Sequence, residues 1–395
     1  MRLPVFGSIW SPYRRHLSVG DFNYLLNLTH DLEGRLRMPS EYSNVFLFFR
    51  NMAFQQFWLQ HELNLADFAR QSLLFGRLDP KHPFHEKFAQ AHGVSMPQFI
   101  ELAMMLMTRF MVEKQMSVSA DWFKPVSAKY GVGTVQRFFD LLSADLNTLR
   151  SFPIKSLEAD RKVSYEVYEK TPLRETPLLK SGPNYYPFSP ELLARSVESR
   201  IYDGLRSANP AEFMNKFGPI FEKYVGASIS KMRIPWFSEK DLNQVMPGTG
   251  KVVDYLLVDR DAKVFVDAKG VEISYLGMVG HRPEIIKDKT KDSVIKGIQQ
   301  GFETARRLQP LEKIGEVEIG KTENYLVVVT FKDLFVGNGT DFYQYVAKDT
   351  LDRLVAQSGG TRPFPPPFAN LRFHPSSALA HCLSVNANNP VVCFC

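Results

Sequence analysis

The stretch Lys251–Glu272, KVVDYLLVDRDAKVFVDAKGVE, decides how the rest of the chain is read. Val252–Val258 and Lys263–Ala268 are β-branched and apolar, the composition of strands, and the polar Asp259-Arg260-Asp261-Ala262 between them reads as a turn. A tight antiparallel hairpin centred between Arg260 and Asp261 sets Asp254 directly opposite Asp267, where Cβ atoms of cross-strand neighbours lie roughly 5 Å apart. Side chains two apart on a strand share a face, so Lys269 emerges beside Asp267. Two acids and one base thus meet at one end of an apolar hairpin. Like charges at that spacing cost free energy unless a cation lies between them, which is the arrangement a divalent-metal site needs.

Working outward, Gly270, Gly277 and Gly280 mark a loop after the hairpin. A helix follows from about Lys291, with Val294, Ile298, Phe302 and Ala305 facing in and Gln299 and Gln300 at mid-length. Lys287, Lys289, Lys291, Lys296, Arg306 and Arg307 make this neighbourhood basic. Tyr325–Phe331, YLVVVTF, is a strand apolar enough to be buried on both faces. Before the hairpin, Asn209-Pro210-Ala211-Glu212 opens a helix that runs to about Ser230, with proline in its first turn. Phe213, Phe217, Phe221, Tyr224 and Val225 form its apolar side, and Gly218-Pro219 is expected to bend it. Glu222 lies on this helix next to the aromatic stripe. Read alone it is a surface carboxylate; next to the hairpin it is a carboxylate on the helix that precedes it. A strand, a crossover helix and another strand imply an α/β sheet.

At 395 residues the chain exceeds one average domain, and two are expected. The three cysteines, Cys382, Cys393 and Cys395, all fall near the end and make no disulfide framework, and with His374 and His381 they match no zinc spacing. The start, MRLPVFGSIWSPYRR, lacks a charged segment followed by an apolar one, so no signal peptide is expected. Phe99–Val112, the most apolar stretch, is interrupted by Glu101 and Arg109 and is too short to span a bilayer. These features point to a cytoplasmic protein without a membrane partner. The formal net charge of +6 suits a polyanionic partner. The 31 phenylalanines are densest in Asn44–Phe75, where their spacing is helical and their ordinary role is core packing. Ser95-Met96-Pro97-Gln98 opens another helix with a capping box. About 150 N-terminal residues therefore read as helical; His61, His82, His85 and His92 are scattered among them and form no metal pattern.

In the order helix, strand, strand, Glu222, Asp254 and Asp267-Ala268-Lys269 resemble the PD-(D/E)xK, or restriction-endonuclease-like, nuclease superfamily, whose core is a helix, three strands, a helix and a strand. The resemblance covers about residues 205–335, with Val253 standing where the motif has proline. It implies that Asp254 and Asp267 ligate Mg²⁺, for which Mn²⁺ substitutes, with the Ala268 carbonyl as a further ligand and Glu222 completing the set. It implies that Lys269 orients or activates the attacking water, and that Gln299 takes the place of a glutamine found in some branches, with Gln300 competing for that role. The chemistry agrees: hard Mg²⁺ prefers oxygen ligands and polarises a phosphodiester, while Lys287, Lys289, Lys291 and Lys296 would track the phosphate backbone.

The expected architecture is α+β and multidomain. Residues 1–150 form an all-α domain for sensing, regulation or binding a protein activator; 151–205 a Pro-rich connector and helix; 206–358 the α/β restriction-endonuclease-like nuclease domain; 359–395 an irregular tail. The expected function is a Mg²⁺-dependent endonuclease hydrolysing DNA or RNA, with a fold-level analogy to anti-phage defence effectors that carry a helical sensor. The alternatives are a structure-specific repair or junction nuclease, an inactive nuclease-like binding module, and a protein-sensing scaffold.

Overall fold

The hairpin forms in the expected register. Tyr255 pairs with Val266, Leu256 with Phe265, Leu257 with Val264 and Val258 with Lys263. Its strands run over Tyr255–Val258 and Ala262–Lys269, and the turn is closed by the Asp259 N–H donating to the Ala262 carbonyl (2.9 Å). The first strand therefore starts three residues later than its composition suggests, for a reason that lies in the site described below.

The computed structural model describes residues 18–33, 42–60, 65–157, 171–320, 322–357, 363–364 and 371–375. The molecule is mixed α/β, and its described residues divide into two units, those within 1–42, 55–63 and 79–204 and those within 43–54, 64–78 and 205–395. No helix among them is long and apolar enough to cross a membrane.

The larger unit is built on a five-stranded sheet. β1 (Trp236–Ser238) pairs antiparallel with β2 (Tyr255–Val258), and β2 pairs antiparallel with β3 (Ala262–Lys269). β3 pairs parallel with β4 (Glu323–Thr330), and β4 pairs parallel with β5 (Leu371–Pro375). Being central, β3 is buried from Ala262 to Asp267, as a strand covered on both faces must be. Helix α1 (Pro210–Ile229) and helix α3 (Lys296–Leu308) both pack on β3; the short helix α2 (Glu239–Val245) follows β1 directly. Asn209 caps α1 by accepting from the Glu212 N–H (3.2 Å), and the helix continues through Pro219. Phe217 and Phe221 of α1 are fully buried, each contributing about 1.5–3 kcal/mol of apolar transfer.

Two early segments belong to this unit rather than to a separate N-terminal domain. Phe75 stacks on Phe217 (5.8 Å between ring centres), Arg70 lies over Phe331 (5.1 Å), Phe54 meets Phe335 edge-on (4.8 Å) and Phe46 stacks on Tyr345 (5.2 Å). The aromatic run is core only in part: Leu47, Ala53, Phe68, Leu74 and Phe75 are buried, whereas Val45 and Phe49 are exposed and Phe46, Phe48, Met52 and Phe54 are half-buried.

The smaller unit is not all-α. Helices Pro83–His92, Met96–Met107 and Val132–Leu142 enclose Phe88, Phe99, Phe123, Phe138 and Phe139, all fully buried. Beside them lies a four-stranded sheet in the order Val118–Ser119, Asn184–Pro187, Leu178–Ser181, Ser143–Ala144. Its two central strands come from the segment read as a connector, and its outer strands are two residues long, too short to show any periodicity. Tyr185 stacks on Phe139 at 4.0 Å and so ties that hairpin to the helices. Ser95 and Gln98 form the expected capping box, while His82 is a helix cap, its Nδ1 accepting from the Phe84 N–H (3.3 Å). The tail also departs from expectation, since Leu371–Pro375 is an edge strand; His381 and the three cysteines lie outside the described residues.

Candidate active site

Asp254 stands immediately before β2, and its carboxylate reaches across to β3, where Oδ2 accepts from the Ala268 N–H at 2.6 Å. The segment leading to it is held by α3 instead of by the sheet. Gln300 Nε2 donates to the Val252 carbonyl (3.0 Å), and Thr304 Oγ1 accepts from the Val253 N–H (2.9 Å). Arg307 donates to the carbonyls of Pro247, Gly248 and Gly250 at 3.0–3.1 Å. Residues 300, 304 and 307 share one face of a helix, so a single stripe of α3 satisfies the backbone groups that a longer β2 would have given to the ladder. Arg307, grouped at first with the basic residues, is a buried clasp on this loop.

Three carboxylates converge here. Glu222 of α1, Glu239 at the start of α2 and Asp254 each bring an oxygen within 4.8 Å of the others. Glu239 is fixed by its own N–H, which donates to the Asp254 carbonyl (2.7 Å), and by the capping box of Ser238 and Asp241 that begins α2. Glu222 is fixed by Tyr255, whose hydroxyl donates to the Glu222 carbonyl (3.0 Å). That bond requires Gly226, because a Cβ there would collide with the Tyr255 hydroxyl. Burial raises the pKa of Glu222, with Glu239 adding to the effect. Burial, then Asp267, push Asp254 up to about 8, and burial with the charges of Glu222 and Asp254 pushes Tyr255 up to about 12. A site in which the charged forms of Glu222 and Asp254 are this disfavoured is short of positive charge.

Beside the cluster lies an acid–base pair. Asp267 is fully buried, with Oδ2 2.6 Å from the Lys269 Nζ. Its Oδ1 has no hydrogen-bond partner among the described residues, and burial raises its pKa against the pull of Lys269. Lys269 Nζ also donates to Gln300 Oε1 (3.0 Å). α3 comes this close only because residue 297 is glycine: a Cβ there would lie 2.5 Å from Asp267 Oδ2.

The structure therefore brings together Asp254, Asp267, Lys269 and Glu222. It does not bring in Gln299, which is exposed; Gln300 makes the contact with Lys269. Ala268 meets the site through its N–H, which donates to Asp254 Oδ2. Two of the lysines expected to track phosphates are engaged elsewhere, Lys287 with Asp349 (3.2 Å) and Lys289 with Asp288 (2.8 Å). Lys291 and Lys296 instead line a cleft that includes Lys251. Glu239 and Lys251 were missed, while Gln300 had been named only as the competitor of Gln299. The first was discoverable, since Ser238-Glu239-Lys240-Asp241 is a capping-box start that puts Glu239 at a helix N-terminus.

No protein-family model, curated protein or solved structure matches the chain.

Proposed function

We propose that this protein is a divalent-cation-dependent nuclease whose larger unit has a restriction-endonuclease-like core. The observation that carries the reading is the meeting, beside the central strand, of Glu222, Glu239 and Asp254 with the Asp267–Lys269 pair. In support, α1, β1, β2, β3, α3 and β4 follow one another along the chain, with α2 between β1 and β2 and further short elements before α3 and before β4, and β3 and β4 are parallel. The site suits Mg²⁺ or Mn²⁺. Its donors are all hard oxygens, burial raises the pKa values of Glu222, Asp254 and Asp267, and the fully buried Asp267 Oδ1 has no hydrogen-bond partner among the described residues. Glu222, Glu239, Asp254 and Asp267 would hold the cation. The chemistry such a cation supplies is polarisation of the phosphodiester and neutralisation of charge on the leaving oxygen.

The remaining work belongs to the chain itself. A lysine ammonium has three N–H donors. Gln300 Oε1 accepts one of those on Lys269, and Asp267 Oδ2 is ion-paired with the ammonium at 2.6 Å, which leaves donor capacity to orient the attacking water or to offset charge on the scissile phosphate. Gln300, held in turn by the Val252 carbonyl, fixes the orientation of the ammonium.

The test is incubation of the purified protein with duplex DNA, single-stranded DNA and total RNA, with Mg²⁺ or with chelator. Cleavage is expected with Mg²⁺ alone and is expected to be lost in Asp267→Ala and in Lys269→Ala. Cleavage that survives both substitutions would overturn the assignment.

A further inference from the structure

The cleft next to Lys269 has a volume of about 350 Å³, and Lys251, Lys291, Lys296, Gln299 and Gln300 line it. Lys251 and Lys296 line the same cleft, and the charge of Lys251 is the largest influence holding the Lys296 pKa below the ordinary lysine value. Two ammonium groups held in one cleft repel unless an anion lies between them. The acids of the cleft do not fill that role. Glu303 is engaged by Arg306 at 2.7 and 3.1 Å, and Asp292 only partly offsets what Lys251, burial and Lys269 do to Lys296. The cleft thus keeps an excess of positive charge. Gln300 is shared between it and the site, since its Oε1 is bonded to Lys269.

We propose that this cleft is a phosphate subsite in which Lys251 and Lys296 together hold one phosphate, next to the one that is cleaved. The proposal rests on the nuclease reading for its second half only. Compact ammonium groups are effective point charges for a phosphate, and a pair on one phosphate satisfies both at once. It also gives the substrate strand a fixed direction across the carboxylates, because the subsite lies to one side of Lys269. The phosphate could be an internal phosphodiester or a terminal phosphomonoester; the recognition chemistry is the same.

The test measures binding of a short single-stranded oligonucleotide to the full chain in chelator, where a metal-dependent enzyme cuts nothing. Wild type is compared with Lys251→Gln, Lys296→Gln, the double variant and the control Lys287→Gln, each confirmed by its melting curve. Each single substitution is expected to weaken binding roughly threefold to tenfold, and to lower the salt slope by about one. The double variant should lose little more than either single, because both lysines serve one phosphate. Losses that multiply in the double variant would overturn the proposal, as would no binding by wild type, or single losses no larger than that of Lys287→Gln. A 5′-phosphorylated strand and a 5′-hydroxyl strand separate the two sources, since a terminal subsite loses the lysine effect on the hydroxyl strand and an internal one keeps it. Binding that needs both lysines in a chain that cleaves nothing with Mg²⁺ would sink the nuclease reading and leave the subsite standing. Cleavage lost in Asp267→Ala, with binding indifferent to both lysines, would do the reverse.

Discussion

The β2–β3 hairpin carries a pair of aspartates at each end, and the pairs behave as different chemical groups. At the turn, Asp261 is exposed and Asp259 is partly so, with Oδ1 accepting from the neighbouring Arg260 N–H (2.8 Å). At the open end, Asp267 is fully buried and Asp254 is pushed up to about 8. Residue type is the same, and surroundings make the difference. Water solvates the turn acids, while α1, α2 and α3 close over the others and add Glu222 and Glu239 to them. A carboxylate becomes a candidate for metal chemistry where its charge has lost water and gained like-charged neighbours.

The sharpest way to break that comparison is to treat the two ends alike. Asp267→Ala should lower cleavage by about 10³-fold, whereas Asp261→Asn should leave the rate unchanged in the same assay. Next in size is Gly297→Ala. Its new Cβ would crowd Asp267 Oδ2 at 2.5 Å and a Val328 methyl at 3.3 Å, costing about 1–3 kcal/mol of stability. Melting should show the loss, and activity should fall further than melting alone accounts for, because the displaced group is Asp267.

A smaller effect follows from Asp254. With no cation bound, its raised pKa means that the fold favours the neutral acid. That contribution to stability is fully present below the ordinary carboxylate value of 3.8 and is lost as pH rises through about 8. A cation reverses the preference, so the gain in melting temperature on adding Mg²⁺ should grow as pH rises from about 6 to beyond 8. A gain independent of pH would separate Asp254 from the cation. Smallest of all, Asp259→Asn and Asp261→Asn should each change stability by less than about 0.5 kcal/mol, as exposed polar substitutions do.

Much of the site was legible because a hairpin is a local structure whose register follows from its turn. Asp254, Asp267 and Lys269 could be brought together on that basis alone. Glu222 needed a helix packed in the right rotation, which its aromatic stripe indicates. Gln300 was harder to choose, because adjacent residues on a helix point about 100° apart and only the packing of α3 on β3 selects one. Lys251 stood just ahead of the expected strand Val252–Val258. Its segment is drawn away from the ladder by Gln300, Thr304 and Arg307, three side chains some fifty residues downstream that no local pattern announces. The division into units was hidden for a related reason: an apolar helix face shows that it will be covered, not by what.

The stacking of Phe46 on Tyr345 and of Phe54 on Phe335 has a consequence for how the protein is made. A ribosome adds about 5–20 residues per second, so Phe46 waits roughly 15–60 s for its partner to be synthesised. β5 comes later still, with its first residue at Leu371. The unit that would cut nucleic acid cannot finish assembling while most of the chain is unmade. On the proposed nuclease function, translation itself would act as a timer, keeping the nascent chain harmless beside the messenger and ribosomal RNA from which it emerges.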